Sequence, residues 1–232
     1  MVQSRTPIPS PPVSWPFEPR TGTPALERRV DVDIPGFGSG WTLEATQGLQ
    51  LEGEPRPLGG AFGRGGVVKL GEVVVRPYRR GGLARHLNER TYPGPSRFLE
   101  ELAVHRTLWT AGLPTVEPLG CAWRRHGWGV EGLYLTRWMA GTPWPRRWDG
   151  AGWPDVARIL KALSDWGCWV PDLNATNVYL DETGAIRVLD FDRAAFLPGE
   201  PLEGRYLKRL RRSLAKLGAP GELQSQVAGG LV

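Results

Sequence analysis

Alternation and helical period divide the chain into a leader poor in apolar pattern and a series of short strands and amphipathic helices. Residues 1–24 hold seven prolines and little periodic apolar pattern, which predicts a disordered or extended leader. Val30, Val32 and Ile34 alternate with charged residues, as in a half-buried strand. Val67-Val68-Lys69-Leu70 and Val73-Val74-Val75, split by Gly71-Glu72, predict a β-hairpin. Ser96 is placed to cap a helix that Gly112 and Pro114 end. On that helix Phe98, Leu102, His105 and Trp109 share a face, and Glu101 lies on the adjacent stripe with Val104 and Leu108. Short strands run on to about Gly141, with Leu133-Tyr134-Leu135 the clearest. A second helix follows Pro154, with Val156, Ile159, Leu160 and Leu163 on one face. Val178-Tyr179-Leu180 and Ile186–Leu189 read as strands around a turn at Glu182-Thr183-Gly184. Arg205 to Leu217 reads as a basic amphipathic helix. The order predicts an α+β fold, a β-rich part followed by a mostly helical one.

Composition narrows this little further. With 41% hydrophobic and 23% charged residues in 232, the chain can bury a core, so a wholly disordered protein is excluded. No apolar run approaches the roughly 18 residues of a membrane span, and no basic-then-apolar signal opens the chain. Cys121 and Cys168 are too few for a disulfide framework, which makes a reducing cytosol the default compartment. The net charge of +5 favours anionic partners. Only four of the 29 basic residues are Lys, so a function that needs a particular lysine has few candidates. No helix-turn-helix, zinc spacing or RNA-binding aromatic motif supports nucleic-acid binding.

The chemistry concentrates in Asp172-Leu173-Asn174-Ala175-Thr176-Asn177 and, after a hairpin, Asp190-Phe191-Asp192. Phosphoryl transfer uses a carboxylate to orient the attacking hydroxyl, an amide five residues on to hold metal, and a second carboxylate to hold metal against phosphates. Asp172 and Asn177 have the D-x-x-x-x-N spacing of a kinase catalytic loop, and Asp190-Phe191 matches the start of D-F-G. A glycine-dense loop, Gly59 to Gly66, lies upstream, as a phosphate-covering turn would.

The chain resembles the lipopolysaccharide kinases that phosphorylate inner-core sugars. The resemblance covers roughly residues 59–217. It rests on Gly63-Arg64-Gly65, Val75-Arg76-Pro77-Tyr78-Arg79-Arg80-Gly81-Gly82-Leu83, and the helix from Glu101 to Gly112-Leu113-Pro114. Downstream it rests on Asp172-Leu173-Asn174-Ala175-x-Asn177, Leu189-Asp190-Phe191-Asp192-Arg193 and Leu210-Arg211-Arg212-Ser213-Leu214.

The resemblance implies a two-lobed protein-kinase-like fold. Residues 25–140 would form a small β-rich N-lobe and residues 141–232 a mostly helical C-lobe. It implies ATP and Mg²⁺ as cofactors and a sugar hydroxyl as acceptor, first of all 3-deoxy-D-manno-octulosonic acid (Kdo) on lipid A precursor. It places the work at the cytoplasmic face of the inner membrane. Asp172 is implied as the catalytic base, and Asn177 and Asp190 as Mg²⁺ ligands. Gly63, Arg64, Gly65 and Gly66 would cover the ATP phosphates. Arg76 stands where protein kinases carry a strand lysine; it would contact phosphates and pair with Glu101. Lys69, on the preceding strand, reads as solvated.

One departure is Val170, where the superfamily carries a histidine two residues before its catalytic aspartate; with Arg76 it keeps an inactive nucleotide-binding pseudokinase open. A heptose kinase or an aminoglycoside-type phosphotransferase would keep the same Asp172, Asn177 and Asp190. The Arg79–Arg90 cluster reads equally as a solvated connection or as an anion-recognising surface. The C-terminal helix can pack its leucines and also be drawn to anionic membrane. Trp144-Pro145-Arg146-Arg147-Trp148 reads as an exposed acceptor-side loop.

Overall fold

The computed structural model describes residues 8–21, 28–34, 37–44, 51, 53–58, 66–79, 90–146 and 151–231. It is a mixed α/β protein that divides into two compact units. The first comprises Met1–Ser4, Gly22–Arg106 and Glu117–Trp138, the second Arg5–Thr21, Thr107–Val116 and Met139–Val232.

The first unit is built on one antiparallel sheet. Its strands are β1 (Arg28–Ile34), β2 (Gly38–Glu44), β3 (Arg56–Pro57), β4 (Val68–Leu70), β5 (Val73–Pro77), β6 (Pro118–His126) and β7 (Gly129–Arg137), in the order β1-β2-β6-β7-β5-β4-β3. The β4–β5 hairpin turns at Gly71-Glu72 with Gly71 at φ 56°, a left-handed conformation that glycine adopts without a Cβ penalty. Strand alternation separates two apolar sets. Val73, Val75, Leu119, Ala122, Leu133 and Leu135 form one with Ile34, Phe37 and Leu70. Tyr78, Cys121, Trp123 and Tyr134 form the other with Tyr92 and residues of α1 (Ser96–Thr110), namely Phe98, Leu99 and Leu102. Gly132 lets that helix approach, because a Cβ there would lie 2.4 Å from the Phe98 ring. Ser96 is the first helical residue rather than the cap, and the carbonyl of Pro95 accepts from the N–H groups of Phe98 and Leu99. The stripe carrying Glu101, Val104 and Leu108 is buried along with the Phe98 face, because the helix is covered on more than one side.

The second unit contains β8 (Gly141–Pro143), α2 (Trp153–Asp165), β9 (Cys168–Trp169), β10 (Val178–Asp181), β11 (Ile186–Val188), β12 (Ala195–Phe196), α3 (Glu203–Leu217) and α4 (Gly221–Ala228), with short 3-10 turns at Trp144–Arg146 and Ala175–Asn177. Val156, Ile159, Leu160 and Leu163 of α2 are buried, as its period requires.

One expectation changes here, that of an exposed Trp144 loop, and two gain detail. Residues 8–21 are extended, one of the two forms expected of the leader, and they are anchored. Trp15 donates from its indole to Ala111 O at 2.6 Å and meets Trp166 edge-on at 4.6 Å, while the Arg20 guanidinium lies over Trp109. Aromatic burial of this kind offsets the ordering of a proline-rich segment whose backbone is already restricted. Trp144 is fully buried and stacks on Trp153, so it belongs to the core and not to an exposed loop; Arg147 and Trp148 lie outside the described residues. The apolar face of α3 packs through Tyr206, Leu210 and Leu214, whereas Leu217 is 45% exposed.

Candidate active site

In the first unit, the register of β5 decides which residue can reach α1. Arg76 stands opposite Tyr134 of β7, and Val75 opposite Leu135, so the two side chains project to opposite faces. The Arg76 Nη2 donates to Glu101 Oε1 at 2.5 Å, with Glu101 only 1% exposed. Its guanidinium carbon lies 5.3 Å from the ring centres of both Tyr78 and Tyr134, which fixes the plane of the fork. Lys69 is engaged elsewhere, with Glu72 at 3.2 Å and over the Trp138 ring.

The glycine-dense segment joins β3 to β4. Leu58 N–H donates to Val67 O at 2.9 Å across its base. Gly63, Arg64 and Gly65 lie outside the described residues. Gly66 is described, at φ 91°, and a Cβ on it would lie 2.9 Å from Arg79 Nη2 and 3.1 Å from Pro77 Cγ. Within the Arg79–Arg90 cluster, Arg80, Arg85 and His86 are also outside the described residues.

In the second unit, three ties bring Asp172, Asn177 and Asp190 together. The β10–β11 hairpin pairs Val178 with Val188, and Leu189 N–H donates to Asn177 O at 2.8 Å. The β9–β12 pair sets Cys168 opposite Phe196. Asp181 closes the hairpin by accepting from Thr183 and Ala185 N–H groups and from Arg187 Nε.

Inside the Asp172 loop, Asn177 Nδ2 donates to Asp172 O at 2.8 Å and Asn174 Nδ2 to the same oxygen at 3.0 Å. With its Nδ2 spent inward, the Asn177 amide oxygen remains the group suited to a cation. Asp190 and Arg193 have φ of 64° and 60°, the positive-φ non-glycine residues among those described. Such conformations cost about 1 kcal/mol or more and cluster at functional sites.

Arg209 of α3 donates from Nη2 to Asp172 Oδ1 at 2.8 Å. Burial first, then the Asp190 carboxylate, pushes Asp172 above the ordinary carboxylate pKa; Asp192 adds to this, and Arg209 and Arg193 oppose it.

Among the described residues no group of three or more His, Cys, Asp or Glu could cage a metal. Mg²⁺ does not need such a cage, since it is usually held by one or two protein oxygens plus phosphates and water. Asn177 and Asp190 fit that mode.

Arg209, Tyr206 and Ser213 touch the Asp172 loop and were not singled out from the sequence as site residues. Their signal was faint, an i, i+3, i+7 spacing inside a helix whose basic and leucine faces dominate the pattern.

The comparisons with known proteins give the class, a kinase. A model of the lipopolysaccharide kinase (Kdo/WaaP) family matches residues 53–227. The chain is 34% identical over 170 residues to the 3-deoxy-D-manno-octulosonic acid kinase of Xanthomonas campestris pv. campestris, covering 67% of this chain and 68% of that one. It is 28% identical over 201 residues to the protein of the same name from Xylella fastidiosa, covering 82% and 72%. It is 33% identical over 170 residues to that of Xanthomonas oryzae pv. oryzae. The chain belongs to the lipopolysaccharide kinase (Kdo/WaaP) family.

Proposed function

We propose that the protein transfers the γ-phosphoryl group of ATP to a hydroxyl of Kdo on a lipid A precursor, using Mg²⁺. The observation that carries the reading is the Asp172, Asn177 and Asp190 arrangement, supported by relatives named for Kdo. The two units correspond in this reading to the N- and C-lobes of a protein-kinase-like fold, with residues 59–66 as the phosphate-covering turn.

Mg²⁺, when bound, neutralises phosphate charge. Asp172 orients the sugar hydroxyl and accepts its proton as the new O–P bond forms and the bond to ADP breaks. Asn177 and Asp190 present oxygens to the metal. Arg76, held by Glu101, presents its fork to the α- and β-phosphates, a bidentate contact that a lysine could not reproduce. Catalysis on these terms is positioning and electrostatics.

An acceptor on lipid requires the enzyme to work at a membrane surface, and we place it at the inner face of the inner membrane. No helix among the described residues is long and apolar enough to cross a membrane. The basic helix α3 supports only a weak attraction. Arg205, Arg209 and Arg211 engage Glu200, Asp172 and the carbonyls of Val227 and Ala228, leaving Lys208, Arg212 and Lys216 exposed for anionic lipid.

The test is an acceptor panel of Kdo-bearing lipid A precursor, heptose-bearing core and an aminoglycoside, each with ATP and Mg²⁺. Transfer to the Kdo acceptor alone is expected. Transfer only to heptose or aminoglycoside would replace the proposed acceptor.

A further inference from the structure

The loop from Cys168 to Ala175 is held by one helix, at both ends of Asp172. The Tyr206 hydroxyl donates to Cys168 O at 2.5 Å and accepts from Val170 N–H at 3.0 Å. Two turns further along α3, Ser213 Oγ accepts from Ala175 N–H at 2.8 Å and donates to Leu210 O at 2.9 Å. Seven residues at 1.5 Å rise separate Tyr206 and Ser213 by about 10 Å on one helix face. Tyr206 is 1% exposed, and Val170 and Ala175 are fully buried. Buried backbone groups need partners, and here two hydroxyls of α3 provide them.

We infer that Tyr206 and Ser213 are positioning residues for Asp172, with Tyr206 bracing the Cys168–Val170 segment just before it. The inference rests on the reading of Asp172 as the group that meets the sugar hydroxyl. Each hydroxyl fixes one end of the loop, and the Leu210 carbonyl turns the Ser213 hydroxyl so that its lone pair faces Ala175. Removing either hydroxyl leaves buried backbone groups to find other partners and shifts the carboxylate relative to its acceptor. Misplacement by about 1 Å can cost up to about 100-fold in rate.

The experiment compares wild type, Tyr206→Phe, Ser213→Ala, Ser213→Thr and Asp172→Ala in steady-state transfer, with nucleotide-binding stoichiometry measured on each preparation. Tyr206→Phe and Ser213→Ala should lower kcat about tenfold or more, with KM for ATP within about twofold and stoichiometry unchanged. Ser213→Thr keeps the hydroxyl and should restore kcat. Hydrogen exchange over residues 168–177, which needs no turnover, should accelerate in Tyr206→Phe.

Wild-type kcat and exchange in both hydroxyl variants would overturn the inference. So would a rate loss matched by lost binding stoichiometry, or a Ser213→Thr as slow as Ser213→Ala. Full activity in Asp172→Ala would instead remove the reading on which the inference rests.

Discussion

Replacing Arg76 by Ala separates the structural role of the Arg76–Glu101 pair from its proposed contact with phosphate. The substitution withdraws a cation 2.5 Å from a carboxylate that is 1% exposed. Removing one partner of a buried ion pair costs about 3–5 kcal/mol. Arg76 is itself 25% exposed, which places the loss near about 3 kcal/mol. In a protein of this size each kcal/mol moves Tm by about 2–4 °C, so Arg76→Ala should melt about 6–12 °C below wild type by circular dichroism. Arg76→Lys keeps the charge but loses the fork and its contacts over the Tyr78 and Tyr134 rings, and should recover only part of the loss. The double variant Arg76→Ala/Glu101→Ala should lose less than the sum of its singles, since no buried charge is left behind. Single variants melting within about 2 °C of wild type, or strictly additive losses, would mean that the two charges do not depend on each other.

Asp172→Asn should lower kcat by about 10²–10⁴-fold, the usual contribution of a positioned base. Because its carboxyl pKa is raised on folding, ionised Asp172 opposes folding as pH rises from the ordinary carboxylate value through the raised one. Asp172→Asn should therefore match or exceed the wild-type Tm at pH 7 and lose that advantage in acid, as thermal melts across pH would register. Asp181 has the opposite sign. Burial raises its pKa, but hydrogen bonds from Thr183, Arg187 and Ala185 outweigh this and hold it low. Asp181→Ala should be destabilising at pH 7 and progressively less so as pH falls through the carboxylate range. Trp15→Ala should release residues 8–21 from the rest of the second unit, measured as faster cleavage by limited proteolysis in the leader; unchanged cleavage would contradict the anchored segment.

The elements with a clean period were legible in the sequence: the Val67–Val75 hairpin, the helices starting near Ser96 and Pro154, and the Val178–Leu189 hairpin all form. Asp172, Asn177 and Asp190 were legible as a set because their spacing is set by one loop and one hairpin, both local. Sequence pattern could not show that Trp15 would find Ala111 and Trp166, since long-range anchoring leaves no period. Trp144 was misjudged from its Pro and Arg neighbours, which say nothing about a stacking partner nine residues on. Tyr206 and Arg209 were hidden for a related reason, while Ser213 was legible only as part of the Leu210–Leu214 motif. A helix face that serves a loop looks like one that serves a core until the loop's unpaired backbone groups are located. The short α4 (Gly221–Ala228), whose Leu223 and Val227 are buried, also went unanticipated.

In the proposed function, Asp172, Asn177 and Asp190 work together to move phosphate from ATP to Kdo. The most direct measurement is transfer of labelled phosphate from ATP, with Mg²⁺, onto Kdo-bearing lipid A precursor by wild type, Asp172→Ala, Asn177→Ala and Asp190→Ala, with the site of phosphate located by mass spectrometry. The account predicts label on Kdo with wild type and a loss of about 100-fold or more in each variant. Label on Kdo at wild-type rates in any of the three variants, or ATP binding by wild type without transfer to Kdo, would contradict it.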